Sequence, residues 1–249
     1  MPQFQEDQNT VYYRMYYGHP ERSRWMEQVW AEAFGEQYPE GLEQYGYLTR
    51  HDLDRMAAWL NVPEGATVLD MGCGKGGPGL RIAERLGLRL IGVDVIQEAV
   101  AQAREFQSKF DLKYPARFEV GNFFEIPLPD ASVDAVISID SLWAAADKIE
   151  AMREVKRVLR PGGRFVFTFW DLHAVESVPL LEQSGMHFLH REETPNWKEN
   201  QLAVYAGLVA REQEIIEEMG AAATMLLYEA KVSPPYLNYS VRRLYVWEA

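Results

Sequence analysis

The amino-acid sequence predicts an α/β fold built on one doubly wound, mostly parallel sheet. From residue 66 onward, short β-rich runs alternate with amphipathic helical segments, which is typical of consecutive strand–helix–strand units. A glycine-rich turn follows the first of these runs directly and leads into the first helix, as in open sheets that bind ligands at the carboxyl ends of their strands. A chain of 249 residues is long enough for one such domain with a small cap.

The strands and helices of this domain can be assigned in order from the hydrophobic pattern. The predicted strands are 66–71, 89–94, 117–121, 133–139, 164–170, 187–191 and 241–247. The predicted helices are 78–86, 97–109, 147–160 and 176–184, with further helical segments within 196–230. The helix over 147–160 is expected to stop at Pro161-Gly162-Gly163, because proline and glycine break helices.

The first 60 residues differ from the rest because they are crowded with tyrosine and tryptophan. Helices are predicted at 21–34 and 49–60, and Thr49 is a suitable N-cap for the second of them. We therefore predict an aromatic-rich helical cap over residues 1–60 and a main domain over 61–249. Additional cap helices are expected to be inserted into the main domain at about 192–232.

Composition and charge narrow the classes of function. The formal net charge of −12 opposes binding to a phosphate backbone, so small-molecule substrates are favoured over nucleic acid. No apolar run approaches the roughly 20 residues needed to span a bilayer, and the N-terminus does not resemble a secretory signal. The single cysteine excludes a disulfide or a cysteine-based zinc cluster within one chain, and we predict no metal site. These features predict a cytoplasmic protein and leave the oligomeric state open, a homo-oligomer included.

The glycine-rich turn, with an acidic residue after it, indicates a nucleoside-containing cofactor. Gly72-x-Gly74-x-x-Gly77 satisfies the dinucleotide pattern G-x-G-x-x-G, and glycines let a backbone approach a ligand closely. Asp94 follows Gly74 by twenty residues and ends the second predicted strand, where a carboxylate can accept hydrogen bonds from ribose hydroxyls. The alternative for Asp94 is a cap on the following helix. The turn and Asp94 alone do not distinguish NAD from S-adenosylmethionine.

The wider pattern distinguishes the two cofactors. The segment VLDMGCGKGGPGLRIAERLGLRLIGVDV resembles the first two motifs of the class I S-adenosylmethionine-dependent methyltransferases, in which an acidic residue such as Asp70 typically precedes the first glycine by two positions. The segment GNFFEIPLPDASVDAVISIDSLWAAADKIEAMREVKRVLRPGGRFVFTFWD resembles strands four and five of the same family. It is most similar to the branch that methylates small molecules, among them quinones, sterols, glycine derivatives and secondary metabolites. The resemblance covers about residues 62 to 172.

The resemblance implies a Rossmann-like seven-stranded sheet that is mostly parallel, with an antiparallel last strand beside the fifth. Helices are expected on both faces of the sheet, together with the helical cap. The implied cofactor is S-adenosyl-L-methionine.

The family pattern implies roles for residues at the methionine end of the cofactor. Gly72 and Gly74 are expected to pass beneath the methionine portion. Asp70 is expected to hold the turn and to reach the ammonium group through water. Ile139 and Asp140, at the end of the fourth strand, are expected to border the methionine group and the substrate entrance.

At the nucleoside end, the family pattern assigns five further positions. Asp94 is expected to bind the ribose hydroxyls, and Val95 or Ile96 to pack on the adenine. Asn122 matches the polar position that meets the adenine amine. Phe123 is expected beside the ring, with ordinary core packing as its alternative.

The position of a general base departs from the family pattern. Small-molecule relatives often have a histidine after the fourth strand in a run such as L-x-H-x-x-D, whereas Ala144 occupies that place here. The remaining candidates are His173, just past the fifth strand, and His19 or Tyr17 in the N-terminal region. We expect His173 and Tyr17 as the catalytic candidates.

The aromatic residues supply candidates for binding the acceptor. Tyr17, Trp143 and Trp170 are expected to contact the substrate through their ring faces, and ordinary packing is the alternative for each. The sequence therefore predicts methyl transfer to N, C or O of an aromatic or amine-bearing metabolite by in-line displacement, in which orientation and a dry pocket do most of the work. A cofactor-binding module without catalysis is the alternative. An NAD-dependent oxidoreductase is disfavoured by Asp70.

Overall fold

A computed structural model of the protein describes residues 8–18 and 23–249. Seven strands form one sheet in the order β3-β2-β1-β4-β5-β7-β6, and β7 pairs antiparallel with both of its neighbours. The strands are β1 Thr67–Met71, β2 Arg89–Asp94, β3 Arg117–Val120, β4 Val133–Ser138, β5 Leu159–Leu172, β6 His187–Glu193 and β7 Ser240–Glu248. The predicted seven-stranded, mostly parallel sheet with an antiparallel last strand beside the fifth is confirmed.

The start of β5 differs from the sequence prediction. The helix before it ends at Val158, and Leu159 already pairs with Val133 of β4. The register then shifts, so that Ala135 pairs with Arg164 and the Pro-Gly-Gly turn between them is bulged. Proline has no N–H to donate to the ladder, and Gly162 adopts a φ of 77° that suits a bulge. The turn residues therefore interrupt the strand, although they were expected to precede it.

Helices cover both faces of the sheet and form a separate group above it. The helices are α1 Gln8–Tyr17, α2 Arg24–Phe34, α3 Arg50–Leu60, α4 Gly77–Leu86, α5 Gln97–Phe106, α6 Lys148–Val158, α7 Ser177–Leu181, α8 Trp197–Ala210, α9 Glu212–Met219 and α10 Thr224–Val232. One hydrophobic cluster joins α3, α4 and α5 to the first face of the sheet. A second cluster joins α6 and α7 to the opposite face. Helices on both faces are thus as expected.

A third hydrophobic cluster joins α1 and α2 to α8, α9 and α10, and these five helices are called the cap below. Trp30 of α2 and Tyr205 of α8 lie in its interior. The sequence grouped α3 with the cap, but Met56 and Leu60 of α3 pack against the sheet. Thr49 begins α3 with a capping box to Asp52, as its residue type predicted. The division of the chain at residue 60 stays a prediction.

No helix in the described part of the chain is both long enough and apolar enough to cross a bilayer.

Candidate active site

A cavity of about 780 Å³ opens at the carboxyl ends of β1, β2 and β4, within the size range of small-molecule sites. Its floor is formed by residues 70–78 and 93–96, and its sides by residues 121–124, 139–141 and 143–146. Residues 43–46 and four residues of α1 form its roof, namely Thr10, Tyr13, Arg14 and Tyr17. This is the edge of an open α/β sheet where ligands usually bind.

The glycine turn is shaped by close backbone contacts on both sides. The N–H groups of Gly72 and Cys73 donate to the Val93 carbonyl oxygen at 2.8 and 3.1 Å, which ties the turn to β2. A Cβ at Gly77 would overlap the Leu42 carbonyl oxygen, so only glycine lets the roof segment approach the first turn of α4. Gly74 has a φ of 53° and lies against the Tyr17 hydroxyl, which a side chain at this position would displace.

Asp94 supports the turn from the end of β2. One carboxylate oxygen accepts a hydrogen bond from the Gly74 N–H at 2.8 Å, and the other accepts from the Ile96 N–H at 2.9 Å. Burial raises the pKa of Asp94, and these backbone hydrogen bonds oppose that rise. Each carboxylate oxygen has a second lone pair. Asp94 can therefore accept the hydrogen bond from the Ile96 N–H at the start of α5 and also accept hydrogen bonds from ribose hydroxyls.

Asp70 lies at the end of β1 beneath the first turn of α4. Its carboxylate meets the backbone at Gly79, where a Cβ would overlap it. Burial, together with the negative charge of Asp94, raises the pKa of Asp70 to about 8. A carboxyl group with this pKa is mostly protonated at pH 7, and a nearby cation would favour its ionised form.

The residues expected around the adenine all line the cavity. Ile96 is buried, whereas Val95 is exposed at the rim. The Asn122 Oδ1 accepts hydrogen bonds from two backbone N–H groups of its own turn, those of Phe124 at 2.8 Å and Glu125 at 2.9 Å, which leaves its amide donors for a ligand. Phe123 lines the cavity and also packs against the second hydrophobic cluster, and its place beside the adenine stays a prediction.

Ile139 and Asp140 line the cavity. The hydrogen bonds of the Asp140 carboxylate, however, are made with residues that do not line it. One of its oxygens accepts hydrogen bonds from Arg242 Nη2 at 2.9 Å and from the Thr168 hydroxyl at 2.7 Å. The other accepts from the Tyr47 N–H at 2.6 Å. Asp140 has a φ of 50°, a strained conformation that these bonds hold in place.

Sequence reasoning missed Arg242, which organises this corner of the site. The residue is fully buried on β7 and forms ion pairs with Asp140 at 2.9 Å and with Asp52 of α3 at 2.7 Å. Arg242 thereby links Asp140, at the edge of the cavity, to Asp52 of α3. No local pattern could have revealed them, because an arginine in a strand usually faces solvent.

Of the two residues expected to be catalytic, Tyr17 lies at the cavity and His173 does not. Tyr17 lines the cavity, and burial raises the pKa of its phenol, which keeps the hydroxyl protonated. His173 is exposed in the turn after β5, where its backbone N–H donates to the Tyr239 carbonyl oxygen, and the structure does not bring it to the cavity wall. His19 lies outside the described residues. Ala144, in the place of the family histidine, lines the wall.

Of the two tryptophans expected to contact the acceptor, Trp143 lines the cavity and Trp170 does not. Trp143 lines the cavity with 38% of its surface exposed, and its indole N–H donates to the Asp140 carbonyl oxygen at 2.8 Å. Trp170 is half-buried and packs against the cap, with its indole N–H 3.3 Å from Gln201 Oε1. The structure brings Trp143 to the cavity and leaves Trp170 behind its wall.

Comparison with known proteins assigns the family. Residues 63–223 match the sequence model of a methyltransferase domain, which is more than half of the chain. The chain is 28% identical over 201 residues to methyltransferase phqN of Penicillium fellutanum, covering 77% of this chain and 59% of that protein. It is 34% identical over 143 residues to the 27-O-demethylrifamycin SV methyltransferase of Amycolatopsis mediterranei, covering 56% of this chain and 52% of that one. The chain thus spans little more than half the length of these curated relatives.

Solved structures agree at the level of the fold. The [4+2]-cyclase SpnF superposes with a TM-score of 0.71 at 20% identity, covering 90% of this chain and 92% of that one. A likeness at this identity concerns the fold alone, and the same fold can support different chemistry. The family expected from the sequence motifs is confirmed: the chain belongs to the methyltransferase domain family.

Proposed function

We propose that this chain transfers the methyl group of S-adenosylmethionine to a small-molecule acceptor. The acceptor atom is N, C or O of an aromatic or amine-bearing metabolite. The observation that carries the proposal is one cavity in which two buried carboxylates, Asp70 and Asp94, flank a glycine turn between two parallel strands. Family membership supports the same assignment.

The cofactor fits the floor of the cavity in one direction. Asp94 binds the ribose hydroxyls, and Val95, Ile96 and Phe123 enclose the adenine, whose amine meets Asn122. The methionine portion lies over Gly72 and Gly74. The cationic ammonium group faces Asp70, whose burial cost a positive charge would offset.

The acceptor occupies the part of the cavity beneath the roof. Tyr13, Tyr17 and Tyr45 supply ring faces there, and Trp143 stands at the rim. Methyl transfer from a sulfonium is an in-line displacement that needs the nucleophile roughly 3 Å from the methyl carbon. An aromatic roof holds the acceptor in that geometry and excludes water, which favours a reaction that removes positive charge from sulfur.

The groups on the wall do not include a ready general base. No histidine lines the cavity within residues 8–18 and 23–249. Asp140 is paired with Arg242, and Glu43 lies between Lys75 and Lys109 at 3.1 and 2.8 Å. This arrangement supports a reaction driven by orientation and desolvation, with an acceptor that needs no base on the wall.

A cofactor-binding module without catalysis is the second candidate, and the lack of a histidine on the described wall favours it. The discriminating experiment measures release of S-adenosylhomocysteine from the protein with amine, indole, phenol and quinone acceptors. Methyl transfer predicts product release that depends on one acceptor class and falls in Asp94→Ala. Tight cofactor binding with no release for any class would support the module and contradict the enzyme.

A further inference from the structure

The glycine turn contains a lysine that does not extend freely into water. Lys75 lies between Gly74 and Gly76, lines the cavity and exposes only 18% of its side chain. A lysine in a surface turn is usually solvated, because burying an ammonium group is costly unless it is paired. The fold therefore keeps this charge at the floor of the cavity, where a ligand that enters the cavity can reach it.

A carboxylate of the roof holds Lys75 in place. Glu43, which also lines the cavity, has its Oε2 3.1 Å from the Lys75 Nζ and its Oε1 2.8 Å from the Lys109 Nζ. Burial would raise the pKa of Glu43, but the hydrogen bonds from Lys109 and Lys75 lower it overall, so the carboxylate is ionised. The Leu42 carbonyl oxygen lies against Gly77, which fixes this part of the roof over the turn. The Lys75 ammonium group is thus positioned before a ligand binds.

The charges of these three side chains do not balance. Two lysines share the one carboxylate of Glu43, which leaves a net positive charge. Lys109 is 63% exposed and is solvated, whereas Lys75 is the lysine at the cavity. Because an ammonium group has three N–H donors, Lys75 can bind a second anion and keep its contact with Glu43.

An amino-acid group fits the charges of the floor. Such a group carries an ammonium and a carboxylate on one carbon, so it needs an anion and a cation close together. Lys75 is the only basic residue of the floor segments 70–78 and 93–96, and Asp70 begins the first of these segments. Arg14, the other basic residue that lines the cavity within the part of the chain that the structure describes, belongs to the roof.

We propose that Lys75 binds the carboxylate of the cofactor's methionine portion, with Glu43 as the residue that positions it. The inference rests on the proposed methyl transfer and deepens it, because it assigns one end of the cofactor to a particular side chain. The site then selects a cofactor with an intact amino-acid group over one that lacks the carboxylate.

The test compares two cofactors by calorimetric titration. Decarboxylated S-adenosylmethionine lacks the carboxylate and keeps the amine, the sulfonium and the nucleoside. Wild-type protein should bind S-adenosylmethionine at least about tenfold more tightly than the decarboxylated compound. Lys75→Met keeps an unbranched side chain without the charge. It should weaken S-adenosylmethionine binding by about tenfold and change the affinity for the decarboxylated compound by less than about threefold.

Lys109→Met is the matched control, since it removes the other lysine that contacts Glu43 at an exposed position outside the cavity wall. It should keep the wild-type preference for S-adenosylmethionine to within about threefold. Should Lys75→Met fold poorly, Lys75→Gln makes the same comparison with a polar side chain, and the wild-type comparison needs no variant.

The outcomes separate this inference from the function on which it rests. If S-adenosylmethionine does not bind the wild-type protein, the methyl-transfer proposal itself fails. If it binds and the decarboxylated compound binds equally well, only the assignment of Lys75 is overturned. A preference that is unchanged in Lys75→Met would also overturn it and would assign the carboxylate to other donors. An equal loss of preference in Lys109→Met would show a general effect of charge and overturn it too.

Discussion

Cofactor binding should release a proton from Asp70. Burial and the charge of Asp94 raise the pKa of its carboxyl to about 8, so on the order of a tenth of the cofactor-free protein carries the ionised form at pH 7. A cofactor ammonium beside it favours the carboxylate and lowers this pKa in the complex. If the pKa in the complex lies below 6, the affinity should rise about ninefold between pH 6 and pH 7, and binding at pH 7 should release about 0.9 proton.

Calorimetric titration of S-adenosylmethionine at pH 6 and pH 7, in two buffers of different ionisation enthalpy, measures both quantities. The window stays below the usual α-amino pKa of about 7.7 to 8.0, so titration of the cofactor itself contributes little. Asp70→Asn removes the titrating group and should show a flat affinity and no proton release from this site. Equal pH dependence in wild type and Asp70→Asn would refute the reasoning.

Three further predictions concern stability and the acceptor wall. The folded pKa of Asp70 lies above its unfolded value of about 3.9, so the native state binds the extra proton and the free energy of unfolding should fall as pH rises from about 4 to 8, by at most about 5 kcal/mol. Thermal unfolding of the cofactor-free protein should show this fall, and Asp70→Asn should reduce it; an identical pH profile in the variant would contradict the assignment. Arg242→Met leaves two buried carboxylates unpaired and should cost about 3–5 kcal/mol in urea unfolding, whereas a loss below about 1 kcal/mol would show that the ion pairs matter little. Tyr17→Phe keeps the ring but not the hydroxyl, so kcat should fall by less than about threefold if Tyr17 acts as a wall, and a loss of about 100-fold would instead make the phenol a proton-transfer group.

The elements that we propose to bind the cofactor could be predicted because their signals are local. β1, the glycine turn and β2 each occupy a few consecutive residues with a distinct pattern, and Asp94 follows at a fixed spacing. The side of the cavity formed by 121–124, 139–141 and 143–146 also lies within the stretch that resembles the family motifs. These segments were located correctly from the sequence to within a residue or two.

The corner of the cavity around Arg242 could not be predicted because its contacts join distant parts of the chain. Arg242 lies 190 residues from Asp52 and 102 from Asp140, and nothing near any of them signals the pairing. His173 is close in sequence to the end of β5, but the turn that follows directs it to solvent.

The central claim is that Asp94 and the glycine turn hold S-adenosylmethionine. Its most direct test is calorimetric titration of that cofactor into wild type, Asp94→Ala and, as a control, Asp111→Ala, which removes an exposed aspartate. Loss of the charged hydrogen bonds to the ribose and of the bond that braces Gly74 should weaken binding by at least about tenfold in Asp94→Ala alone. Wild type and the control should each bind one equivalent of the cofactor with similar affinity. Absence of binding to wild type, or equal binding by all three proteins, would contradict it.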